Sequence, residues 1–122
     1  MASPWIDEHA DGLAARAERD LEALVAISSP SGDAAAAEEV VAVATALAPA
    51  EAEVTRIPCS SNEHAADLVL RVTGGGTRRL LLVGHLDTVV AHDAHVPPQR
   101  VGPRMLGSGT IDMKAGVALS LG

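Results

Sequence analysis

Arg78 and Arg79 are followed by four apolar residues without a break, Leu80 to Val83, and then by Gly-His-x-Asp. A strand that is apolar at every residue, and not at alternate ones, is covered on both faces. That places it deep in a sheet, and the helical segments around it make the chain an α/β fold. Composition narrows the core further. The 122 residues are 48% hydrophobic, with one Trp and neither Phe nor Tyr. Packing must therefore come from Leu, Val, Ile and Ala. The length suits one modest domain, not two.

Periodicity around that strand gives the order α-α-β-β-β-loop-α. Leu13, Ala17, Leu21, Leu24 and Val25 recur at helical spacing within a helix expected over 7–27. "SSPSGD" ends it: Pro30 and Gly32 break the pattern, and Ser31 or Asp33 is available to cap the next helix, 34–47. Pro49 closes that helix. "AEVTRI" is a short strand, and "ADLVLRV" alternates as a strand with one less buried face does. The glycines of "TGGGT" then predict a hairpin between "ADLVLRV" and "RRLLLVG". Segment 91–107 is irregular, with a short hairpin in "QRVGPRML", and a helix begins near Met113.

Two stretches carry chemistry. "GHLDTVV" puts His85 at the C-terminal end of the apolar strand, the edge where open α/β sheets bind ligands. Asp87, two residues on, is spaced to accept the free ring N–H of a metal-bound histidine. The plain alternative is a histidine capping a strand and an aspartate starting a turn. "GSGTIDMKAG" begins like a dinucleotide loop but has Asp112 where the third glycine belongs, and an acid there repels pyrophosphate. Asp112 is then either the N-cap of the helix that follows or a metal ligand brought close to His85 by a glycine-loosened backbone.

Taken together, "GHLDTVV" and "GSGTIDMKAG" resemble the first two metal-site motifs of the co-catalytic zinc carboxypeptidases and deacylases, and "LEALVAISSPSGD" resembles that family's opening helix and loop. The resemblance implies the start of a three-layer αβα zinc-exopeptidase-like catalytic domain, with residues 1–122 its N-terminal portion, truncated at the C-terminus. It implies that His85 binds one metal ion, that Asp87 orients His85 in catalysis, and that Asp112 bridges two zinc ions, for which cobalt or manganese could substitute. Gly107 and Gly109 let the backbone approach the centre, and the Asp112–Met113 peptide is expected to be cis. The implied substrate is a small peptide or N-acyl amino acid, and the implied assembly is a homodimer of the complete enzyme. The family's general-base glutamate and remaining ligands follow further along its chains. Residues 1–122 are thus expected to be inactive alone.

The other residues are read plainly. His92 and His95, spaced His-x-x-His, are solvated loop residues. His9 and His64 lie on the surface, Cys59 is small and partly buried, and Lys114 is a first-turn surface lysine. The net charge of −7 argues against a nucleic-acid partner. No apolar run reaches the roughly 18 residues of a membrane span, and no secretory leader is visible, so a cytoplasmic location is expected. The rival function is a non-catalytic remnant or interaction module that keeps the start of the fold and an exposed apolar sheet edge.

Overall fold

The structure is a computed structural model that describes residues 3–122. Met1 and Ala2, the first residues of the stretch in which no leader is expected, lie outside the described residues. Helix α1 spans Pro4–Ala26, with Pro4 at its first turn, where a missing N–H costs nothing. Helix α2 spans Ala34–Leu47, and Asp33 caps it by accepting from the Ala36 N–H at 3.0 Å. Of the two capping candidates, Asp33 takes the role. Strands β1 (Glu53–Ile57) and β2 (Asp67–Arg71) pair antiparallel, with Thr55 opposite Val69. A second antiparallel pair, β3 (Gln99–Val101) and β4 (Arg104–Leu106), forms the short hairpin expected in "QRVGPRML". A tight turn over Thr110–Lys114 leads into helix α3, Ala115–Ser120. The fold is mixed helix and small antiparallel sheets.

The core is aliphatic, as the composition requires. Ala17 and Leu24 of α1, Val40 and Ala44 of α2 and Ala118 of α3 are buried together, and Leu68 of β2 and Leu86 pack against them. Alanines at the crossings let the helix backbones approach closely, so a core without aromatics still closes. Two arginine forks fasten the strands to the helices. Arg56 of β1 reaches both Glu38 carboxylate oxygens of α2, at 2.9 and 2.8 Å. Arg100 of β3 reaches Glu22 and Glu18, one helical turn apart on α1, each at 2.9 Å.

Two expectations are corrected. "ADLVLRV" does not form a hairpin with "RRLLLVG"; β2 pairs with β1 instead. A local contact favours that pairing: the Arg56 guanidinium of β1 donates to the Ala66 carbonyl just before β2, at 2.8 Å. The apolar run is not deep in a sheet either. Leu80 is 86% exposed, Leu81 82% and Val83 79%, and among the described residues no strand pairs with the segment. Its one ladder contact comes after it, a parallel bridge between Thr88 and Pro30. No helix of the described residues is long and apolar enough to cross a membrane.

Lys114 is not a surface lysine. It is fully buried, and its ammonium donates to the Leu24 carbonyl at 3.0 Å and the Ile27 carbonyl at 2.8 Å. Burial pushes its pKa from 10.5 down to about 8, a penalty of order 3 kcal/mol at 1.36 kcal/mol per unit. Two charge-assisted hydrogen bonds, typically about 1.5–3 kcal/mol each, offset part of the cost of burying the ammonium. Lys114→Met keeps the bulk but removes both hydrogen bonds, leaving the Leu24 carbonyl only the long 3.4 Å bond from the Ile27 N–H, so it should lower stability by about 1–3 kcal/mol at neutral pH. The pH dependence has a definite sign. The unfolded chain binds the Lys114 proton more tightly, so between about pH 8 and 10.5 the buried ammonium's penalty is relieved and stability rises. Urea denaturation should show this rise in the wild type, and Lys114→Met should lack the Lys114 share of it.

Candidate functional site

Segment 27–31, between α1 and α2, organises the site. Its backbone takes the Lys114 ammonium on the Ile27 carbonyl. Its Ser29 carbonyl accepts from the Thr88 N–H at 2.9 Å, and its Ser31 N–H donates to the Thr88 carbonyl at 2.8 Å. The buried Ser29 hydroxyl donates to the Leu86 carbonyl at 2.8 Å. One short turn therefore holds the His85–Asp87 stretch from one side and the Asp112–Lys114 stretch from the other.

The two glycines of "GSG" are required by that geometry. Gly109 has a φ of +80° and a side chain there would meet Thr88 Cγ2 at 2.7 Å. A Cβ on Gly107 would meet Val25 Cγ1 at 2.5 Å. Between them, buried Ser108 fastens the loop, with its N–H donating to the Val96 carbonyl at 2.9 Å and its hydroxyl accepting from the Val96 N–H at 2.8 Å. The Lys114 N–H closes the turn on the Gly109 carbonyl at 2.9 Å. Asp112 has extended, non-helical backbone angles, and no side chain caps α3. The capping alternative for Asp112 is thereby removed. The Asp112–Met113 peptide bond is cis, the isomer expected there.

His85 and Asp112, 27 positions apart in sequence, meet. His85 Nε2 lies 3.0 Å from Asp112 Oδ1. On the other side of the ring, His85 Nδ1 lies 3.1 Å from Asp87 Oδ1 and 3.1 Å from the Asp87 backbone carbonyl. The outer oxygen of Asp87 accepts from the Ser31 hydroxyl, which also donates to the Thr88 carbonyl at 3.1 Å. The order Ser31, Asp87, His85, Asp112 is a continuous polar line opening into a cleft of about 370 Å³ that Thr88 and Thr110 help to line. In sequence Ser31 reads as part of a helix breaker and as a capping candidate, not as a partner of Asp87.

Charge follows the contacts. Partial burial works against the His85 imidazolium, but the Asp87 carbonyl and the carboxylates of Asp112 and Asp87 outweigh it and raise its pKa above 6.5. The Ser31 hydroxyl holds the Asp87 carboxyl below its ordinary value, against the effect of burial. With acceptors on both ring nitrogens, only the doubly protonated ring satisfies both. The proton on Nε2 sits where a cation would be shared with Asp112. Two donors each about 2 Å from one zinc ion lie about 3.3 Å apart in a tetrahedral site. The 3.0 Å separation fits that arrangement with a small opening. Among the described residues, no three His, Cys, Asp or Glu side chains form a ready cage.

The remaining candidates fall elsewhere. His92 is exposed but not simply solvated, since it bonds Ser28 at 2.8 Å and Asp33 at 3.0 Å. His95 is half-buried beside Lys114, and burial, with the lysine's charge, lowers its pKa. Cys59 is partly buried and contacts the Ala65 carbonyl. His9 stacks on Trp5 at the surface.

No family model, no curated protein and no solved structure matches the chain. The resemblance noted above therefore rests on the quoted motifs.

Titration of the His85 ring followed by NMR should give a pKa above 6.5, and Asp112→Asn should bring it down. The associated stability is fully present below pH 6.5 and is lost as pH rises through the folded value. An unmoved titration in Asp112→Asn would show that the two side chains are not in contact in solution.

Proposed function

We propose that this chain carries part of the metal centre of an amide hydrolase of the carboxypeptidase or deacylase type, within the beginning of a three-layer αβα domain. The observation that supports it best is the 3.0 Å approach of His85 Nε2 and Asp112 Oδ1, with Asp87 holding the opposite ring nitrogen. His85 would bind one zinc ion through Nε2. Asp112, whose side chain is 86% exposed, has its second oxygen free to bridge to another. Bound zinc supplies a Lewis acid for the scissile carbonyl and a water ionised near neutral pH.

The residues of this chain have definite tasks. Asp87 accepts the Nδ1 proton, fixes the ring orientation and keeps Nε2 directed at Asp112. Ser31 holds Asp87 in place. Gly107 and Gly109 admit the loop to within van der Waals distance of Val25 and Thr88, so that Asp112 reaches His85. A catalytic zinc takes about three protein ligands. His85 and Asp112 are two, so the reading requires further ligands and a general base from outside these residues. The substrate class is a small peptide or N-acyl amino acid.

A specific observation also favours a second reading, an interaction module. Leu80 to Val83 form an apolar run that is largely exposed and unpaired among the described residues, an apolar surface that a partner could cover.

Calorimetric zinc titration separates the two. On the hydrolase reading the chain alone binds zinc weakly, with a Kd above about 1 μM, and His85→Ala and Asp112→Asn each abolish that binding. It does not hydrolyse N-acyl amino acids by itself. Zinc binding unaffected by both variants would remove the metal reading and leave the module.

A further inference from the structure

Loop 28–33 holds a second histidine in an arrangement that neither motif accounts for. His92 Nδ1 lies 2.8 Å from the Ser28 hydroxyl oxygen. His92 Nε2 lies 3.0 Å from Asp33 Oδ2. The other Asp33 oxygen is pinned by the Ala36 N–H at 3.0 Å. That backbone bond, followed by the contact with His92, keeps the Asp33 carboxyl ionised below its usual range. With Asp33 ionised, Nε2 carries the ring proton, and the Nδ1 lone pair faces the Ser28 O–H. Hydroxyl, base and orienting carboxylate thus stand in one hydrogen-bonded row, and the carboxylate is itself fixed by a helix N-terminus.

We propose that Ser28, His92 and Asp33 form a reactive site separate from the His85–Asp112 pair, in which Ser28 is an activated nucleophile toward acyl or phosphoryl groups bearing a good leaving group. Ser28 is half-buried and His92 lies at the surface, so a small electrophile can reach both. In acyl transfer the Ser28 oxygen bonds to the carbonyl carbon as its proton passes to His92 Nδ1. The bond to the leaving oxygen breaks, and that oxygen takes the proton from His92. Water then cleaves the acyl-serine by the reverse proton path. Asp33 holds the ring in the tautomer that leaves Nδ1 unprotonated, a positioning role.

The experiment is covalent labelling of the 122-residue chain with a fluorophosphonate, in the presence of chelator, read by peptide mass spectrometry. The reaction forms an O–P bond at Ser28 and breaks the P–F bond, releasing fluoride and one proton by way of His92. The expected result is an adduct on Ser28, lost in Ser28→Ala and slowed about 10²- to 10⁴-fold in His92→Gln. Glutamine can hydrogen-bond to both neighbours and so preserves the loop, but it is no base. Circular dichroism of both variants should match the wild type. No adduct on Ser28, or labelling as fast in His92→Gln as in the wild type, would show that the three residues only clamp the loop.

Discussion

A single buried cation ties the structure together. The Lys114 ammonium, with its hydrogen bonds to the carbonyls of Leu24 and Ile27, joins the start of α3 to the end of α1 across 87 to 90 positions of sequence. It does so at the end of α1, where the last carbonyls lack the usual i+4 helical partners and the Leu24 carbonyl has only a long bond from the Ile27 N–H, at 3.4 Å. A lysine suits that place because it carries several donors and a charge, matched to the negative end of a helix. The same turn holds the Leu86–Thr88 stretch through Ser29 and Ser31. His85 and Asp112 are therefore neighbours because both are fastened to one short segment, and neither motif could set the distance alone.

This arrangement gives the site a gradient from rigid to open. Ser29 and Lys114 are buried, Asp87 and His85 are about half exposed, and Asp112 is outermost. The interior supplies positions and the surface supplies charge. A cation at His85 and Asp112 would meet a histidine already oriented by Asp87, so little reorganisation of the ring would be needed on binding.

Much of this was legible in sequence. Helix α2 appears at its expected bounds because its cap, its alanine-rich face and Pro49 all agree. The short hairpin at 99–106 follows from its Gly-Pro turn. The meeting of His85 and Asp112 was legible because a histidine after an apolar run and an acid in a glycine loop are rarely both accidental. Lys114 was not legible, since its partners are main-chain carbonyls, which leave no residue type to read. The run Leu80–Val83 misled for a related reason. Hydrophobicity states that a segment belongs under cover, yet nothing in the segment itself names the strand that covers it, and the described residues pair β2 with β1 instead.

The most direct test of the central claim is anomalous diffraction from crystals of this chain soaked in zinc. A peak about 2 Å from both His85 Nε2 and an Asp112 carboxylate oxygen, with Asp87 still on Nδ1, is the expected result. Zinc bound elsewhere with the pair left empty, or His85 and Asp112 standing apart on separate elements, would contradict it.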